Sequence, residues 1–320
     1  MTAPPSPPAR PLLARLQHSG FVIIRNTLSA TDLTTLRGAA ARLTSVARRG
    51  DWPHVRTVGK QFPPWDASVA RSAGIWGVQH LLHPDLPLSA ADRAAFARVY
   101  FSDAVLRVVR ELLEVDDDEE ELVMELFNML VRPGTEAEPM DDFALRWHRD
   151  DISWEATAGE EEARLSGATA LQQHAQFNLA LYDDASLIVV PGSHARARTA
   201  AERGADPYDD DGNAMPGAAA VALAPGDMVF YDNNIVHRGV YAAGRERATL
   251  HGSVGRAAVA GADDEAANAR ARNVLQHGVG AYVDRCDFSG LPQCRTAEAM
   301  RRRLVDMGRQ HGDVGYSLSG

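Results

Sequence analysis

Basic charge is in short supply in this sequence. Thirty-three Lys and Arg face 43 Asp and Glu, for a net charge of -10. That balance argues against a nucleic-acid partner, which is held by neutralising phosphates on a basic face. Cysteine is scarcer still. Cys286 and Cys294 are the only two, and neither has a Cys or His at close zinc-finger spacing. A disulfide scaffold is therefore not expected. No run approaches the ~18 consecutive apolar residues of a membrane span, so no membrane partner is expected either. Walker loops and dinucleotide fingerprints are missing, and Ser193 has neither a nucleophile elbow nor a paired base around it. Nucleotide-dependent and serine-hydrolase chemistry are set aside on these grounds.

The 320 residues are 45% apolar and 24% charged, enough to bury a full core without staples. The opening MTAPPSPPARP is proline-rich and reads as a disordered arm over 1–11, without the apolar middle of an export signal. Cytoplasm is the expected location, and the oligomeric state has no signature. A single domain is expected over 12–320, in three parts: helices and loops over 12–120, a β core over 121–255 and helices over 256–320. Phe21–Ile24 reads as a buried strand, and Ser29 with Asp32 caps a following helix. Ser89 with Asp92 repeats that signature, and a third helix is expected over 103–114. Between them, 51–88 carries Trp52, Trp65 and Trp76 with little periodicity, which suggests long loops forming a lid or pocket wall. The acidic run over 116–121 reads as a solvated turn.

After residue 121 the period changes to two. Val123, Glu125, Phe127, Met129 and Val131 alternate with Met124, Leu126, Asn128 and Leu130. Short strands follow around 144–148, 175–182, 187–190, 220–223, 227–231 and 247–254, separated by Gly, Pro, Asp and Asn. Pro225-Gly226-Asp227 marks a tight turn. Many short strands with such punctuation predict a mainly β fold, a sandwich or barrel of antiparallel sheets, with flanking helices. A last helix is expected near 296–309.

Trp147-His148-Arg149-Asp150 contains His-x-Asp. Side chains two apart on a strand share a face, so this imidazole and carboxylate can reach one cation together. A second histidine from a distant strand completes a two-His, one-carboxylate face that leaves positions open on Fe(II). His237 is the candidate, at the end of Pro225–Gly226–Asp227, a buried strand and the breaker Asp232-Asn233-Asn234. Ten residues on, Arg247, Thr249 and His251 share a face. A guanidinium with a hydroxyl beside it suits a distal carboxylate. Arg245, in a turn, is its competitor. Asp151 is a second carboxylate beside Asp150, but strand parity favours Asp150. His194 reads as loop packing. Trp76, Gln79 and His80 combine aromatic surface with polar reach and are candidate substrate residues, as is His251 beside Arg247.

The segments WHRDD, DDASLIVVPGSH, PGDMVFYDNNIVHRG and ERATLHGSV resemble the phytanoyl-CoA dioxygenase (PhyH-like) family of 2-oxoglutarate oxygenases, over about 121–255. The 21–46 segment is similar to that family's opening strand and helix. The resemblance implies a double-stranded β-helix (jelly-roll, cupin-like) core, Fe(II), and 2-oxoglutarate converted to succinate with O2 and a small-molecule substrate. Carried over residue by residue, it makes His148, Asp150 and His237 the iron ligands and Arg247, with Thr249, the co-substrate anchor. Met129 and Asn178 would line the co-substrate pocket. Departures exist. The link before LIVVPGSH is shortened to Asp183-Asp184-Ala185-Ser186, Gly239 stands where some members offer a hydroxyl, and the acidic insert over 155–166 is expected to be helical. Two other readings remain: a cupin-like metal isomerase or hydrolase that needs no 2-oxoglutarate, and a non-catalytic binding module on the same fold.

Overall fold

The computed structural model describes residues 10–56, 74–116, 118–132, 141–166, 173–208, 214–242, 247–257, 264–312 and 314. Residues 1–9 of the expected arm, Trp65 and Arg245 lie outside them. Pro11, expected in the arm, instead opens a helix. Pro11–Ser19 has proline in its first turn and ends on Gly20 at φ 81°, a left-handed cap that glycine adopts without strain.

Two antiparallel sheets form the core. Eleven strands are described: β1 (Phe21–Ile24), β2 (Val55–Arg56), β3 (Trp76–Val78), β4 (Leu122–Val131), β5 (Phe143–Ala144), β6 (His174–Ala180), β7 (Leu187–Val189), β8 (Ala219–Ala220), β9 (Met228–Tyr231), β10 (His237–Tyr241) and β11 (Ala248–Arg256). The larger sheet runs β1-β9-β6-β11-β4-β3-β2 and the smaller one β5-β10-β7-β8. This is the expected jelly roll. The stretch 51–88, read as loops, contributes β2 and β3 to the large sheet's edge. Pro225-Gly226-Asp227 is the tight turn predicted, with Gly226 at φ 87° and Asp227 accepting from the main-chain N–H of Ala224 and Asn26.

Register decides what each face of the large sheet does. Met129, Leu250, Leu179 and Met228 stand side by side across four strands, and all four belong to the main apolar core. Ser29 and Ser89 cap the helices Ala30–Arg48 and Ala90–Tyr100 as expected, and these with Asp103–Leu113 and Cys294–His311 pack side chains into that core. Each such aliphatic side chain withdrawn from water contributes about 1.5–3 kcal/mol. Gly252 belongs to this face because a Cβ there would meet the Phe177 ring at 2.6 Å. One residue along, Asn128, His251, Asn178 and Val229 form the neighbouring row. By strand alternation that row points the other way, toward the small sheet. Ala180 and Val229 pack there with Leu187 and Val189 of β7.

Candidate metal centre

His148 lies in an isolated bridge with His237, each N–H donating to the other's carbonyl at 3.0 Å. Asp150 N–H donates to Asn233 O at 2.9 Å, so the His-x-Asp segment is zipped against the approach to β10. His-x-Asp thus puts both side chains on one side, and β10 brings the second imidazole across. The ligand atoms of His148, Asp150 and His237 all lie within 4.8 Å of one another, a grouping that could hold a metal. Nε2 of each imidazole is 3.7 Å from the same oxygen, Asp150 Oδ1.

The donor set suits a divalent metal in a further respect. His148 Nδ1 is 2.9 Å from Arg146 O, and His237 Nδ1 is 2.9 Å from Ile235 O. A carbonyl only accepts, so each Nδ1 carries the proton and each Nε2 presents its lone pair to the common point. Burial, then the neighbouring His148, pushes the His237 imidazole down to about 4, which keeps it neutral at pH 7. Loss of solvent works against the charge of Asp150, but His237, His148 and a bond from Gln176 Nε2 at 3.1 Å together hold its carboxyl below the usual range. Asp151 is not part of the group.

Arg149, between the two ligands, was not singled out by the sequence. Its guanidinium is buried and donates to Ser193 O at 3.0 Å, to Arg196 O at 2.9 Å and to Asn234 O. It ties the His148–Asp150 segment to the PGSH loop and to the turn before His237. Gln176 was missed as well. The signal for it was its place two residues before Asn178 on β6, on the same face.

Arg247 and Thr249 sit together at the start of β11, both buried. Arg247 Nε donates to Ser186 Oγ at 2.8 Å, and its Cζ lies 4.9 Å from the Tyr241 ring centre. Arg247 and Thr249 also both bond Asp184. Asn178 shares the face, and its Oδ1 accepts from His251 Nδ1 at 2.9 Å. Met129 is a correction: it lies in the helix-side core, and its neighbours Asn128 and Leu130 take the inward positions. Trp76 is likewise core, paired with Val131 on the helix side. Gln79 is buried, and its carbonyl accepts from Trp52 Nε1 at 2.9 Å. His80 is brought near by Asn128, whose Oδ1 accepts the His80 N–H at 3.0 Å. With His54 it lines a cavity of about 720 Å3 shared with Leu275, Leu304 and Val305, and none of the three metal-site residues lines that cavity. His194 packs as expected, with Nε2 3.2 Å from Gln17 O.

The profile of the phytanoyl-CoA dioxygenase (PhyH) family matches residues 16–241. The chain belongs to the phytanoyl-CoA dioxygenase family. It is accordingly an enzyme of the Fe(II)- and 2-oxoglutarate-dependent oxygenase type, and His148, Asp150 and His237 form a group that could hold a metal. Solved structures similar to this PhyH-family chain include HygX from Streptomyces hygroscopicus with nickel and 2-oxoglutarate bound, at TM-score 0.52 and 17% identity over 78% of this chain and 87% of that one. EctD from S. alaskensis with 2-oxoglutarate and 5-hydroxyectoine reaches TM-score 0.51 at 18% identity, over 80% and 78%. At these identities the likeness is one of fold. No curated protein matches the chain. Among the described residues, no helix is long and apolar enough to cross a membrane.

Proposed function

We propose that this enzyme hydroxylates a small organic molecule at an unactivated carbon, with His148, Asp150 and His237 holding Fe(II) and Arg247 anchoring 2-oxoglutarate. The observation that carries the reading is the shared oxygen: two Nε2 atoms, each freed by an Nδ1–H to a carbonyl, stand 3.7 Å from Asp150 Oδ1. When bound, Fe(II) with 2-oxoglutarate supplies the oxidation, with R–H, O2 and 2-oxoglutarate giving R–OH, succinate and CO2.

The protein's share is holding and positioning. His148 and His237 would offer Nε2 and Asp150 a carboxylate oxygen to the metal, a donor set that suits Fe(II). Arg247 and Thr249 lie on the inward face of β11, where a guanidinium and a hydroxyl can receive a distal carboxylate. Asn178 and His251, bonded to each other, occupy the same face next along. His80 and its cavity are our candidate for the substrate side, and a cytoplasmic setting belongs to the same reading.

The test is an anaerobic titration of Fe(II) and then 2-oxoglutarate, followed by the weak visible charge-transfer band, with a succinate-release screen over lipid, terpenoid, alkaloid and amino-acid substrates. His148→Ala and Asp150→Ala should abolish metal binding, and Arg247→Ala should raise the 2-oxoglutarate concentration required. Metal binding that survives both ligand replacements would refute the assignment.

A further inference from the structure

The link from β6 to β7 is short, and it delivers a carboxylate to the anchor. Asp184 is fixed by its own backbone, with its N–H donating to Leu223 O at 3.0 Å and its carbonyl accepting from Leu223 N–H at 2.8 Å. Its Oδ1 accepts from Ser186 N–H at 2.9 Å, which turns the carboxylate inward. There Oδ1 lies 3.3 Å from Arg247 Nε, and Oδ2 lies 3.3 Å from an Arg247 terminal nitrogen and 3.1 Å from the Thr249 hydroxyl. Both side chains of the pair are only 7% exposed. Arg247 is engaged elsewhere too, donating from Nε to Ser186 Oγ and from a terminal nitrogen to Leu130 O at 3.3 Å.

Every group assigned to the distal carboxylate of 2-oxoglutarate is therefore already facing a carboxylate of the chain itself. We propose that Asp184 competes with the co-substrate's distal carboxylate for Arg247 and Thr249, and so sets the affinity and selectivity of the co-substrate pocket. The inference rests on the reading of Arg247 as anchor. Its physical basis is a charge count. Arg247 and Asp184 together are neutral, so a further carboxylate brought against Arg247 adds a second anion to a water-poor site with one cation. At the effective dielectric of about 20 that suits such sites, a like charge about 4–6 Å away weakens binding by roughly a hundredfold to a thousandfold. The alternative role for Asp184 is to hold the guanidinium in place, and that role predicts the opposite sign.

The experiment compares two ligands on the anaerobic Fe(II)-loaded enzyme: 2-oxoglutarate and 2-oxopentanoate, which keeps the chelating keto acid and replaces the distal carboxylate with a methyl. In the unmodified protein the neutralised anchor should favour 2-oxoglutarate by less than about tenfold. Asp184→Asn, which keeps an acceptor for Ser186 N–H and removes the charge, should tighten 2-oxoglutarate by about tenfold or more and leave 2-oxopentanoate within about twofold. A preference of a hundredfold or more in the unmodified protein overturns the proposal without any variant. So does an Asp184→Asn enzyme that binds 2-oxoglutarate no better, or worse. If 2-oxoglutarate binds and Arg247→Ala weakens it while Asp184→Asn does not strengthen it, the competition alone is wrong. If neither keto acid binds the Fe(II) enzyme, the anchor reading falls and this inference with it.

Discussion

Gln176 Nε2 donates to Asp150 Oδ2 at 3.1 Å, which leaves Oδ1 turned to the two imidazoles. The amide does for the carboxylate what Arg146 O and Ile235 O do for the histidines: it chooses which atom faces the point the three side chains share. Partners of this kind typically carry ten- to a hundredfold in metal affinity. Gln176→Ala should therefore weaken Fe(II) or Ni(II) binding by about tenfold, measured by competition with a chromophoric chelator. Gln176→Glu should weaken it too, since two facing carboxylates repel. Unaltered affinity in both variants would show that Asp150 needs no such support.

Arg149 is a buried cation whose observed partners are main-chain carbonyls, those of Ser193, Asn234 and Arg196. Burial pushes its guanidinium down to about 10, still charged at neutral pH. Three acceptors from two loops use the planar fork fully, and a lysine ammonium cannot span them. We expect Arg149→Lys to lower stability by about 2–4 kcal/mol, in line with buried carbonyls left without donors. Because the Asn234 end leads to His237, metal affinity should fall as well. Urea unfolding and a metal titration on the same preparation check both halves, and a loss of stability with metal binding unchanged would separate Arg149 from the centre.

The convergence of His148, Asp150 and His237 was legible because each step has a local signature. The two-residue spacing of His148 and Asp150 sets parity, and Asp232-Asn233-Asn234 breaks the chain just before His237. Strand positions were legible for the same reason, with β9 falling where turn residues bracket an apolar run, whereas β10, with the sequence HRGVY, carries no such run and was not expected. Met129 was not legible, because β4 is apolar on both faces. Leu126 and Leu130 alternate with Phe127 and Met129, so only Asn128 marks the inward row, and only cross-strand register proves it. Trp76 failed likewise, its partner Val131 fixing it on the helix side. Asp184 and Arg149 owe their roles to contacts across 63 and 85 residues of sequence, and no local pattern carries those.

The acidic insert, helical as expected, is bonded into the fold. Its helix Ala158–Leu165 opens on a capping box at Thr157 and turns Glu161 inward, with no exposed surface. Glu161 accepts from Arg198 Nε at 2.6 Å, from Arg198 main-chain N–H at 2.7 Å and from Arg203. Arg198 also stacks 4.0 Å above the Trp154 ring centre. Removing one partner of such a pair strands the other charge, at about 3–5 kcal/mol. Glu161→Ala should lose that much in urea unfolding, whereas Glu161→Leu with Arg198→Met should lose clearly less. Equal losses in the two proteins would mean the pair is not coupled.

His80 gives the protein an acid limit. Burial, aided by His54, His83 and His277, pushes its imidazole down to about 3 from an ordinary 6.5. The unfolded chain then binds a proton between those values that the folded chain refuses, so stability is lost as pH falls below about 6.5. From pH 7 to pH 5 one such histidine costs about 2 kcal/mol. His80 also sits at φ 63°, a left-handed conformation that asparagine tolerates better than most residues. His80→Asn therefore removes the titration with little backbone penalty. Its loss of stability between pH 7 and pH 5 should be smaller than the parent's by about 2 kcal/mol in urea unfolding, with His83, His237 and His251, which burial pushes down to about 4, contributing to the remainder. An identical loss in parent and variant would mean that His80 already titrates alike in the folded and unfolded chain.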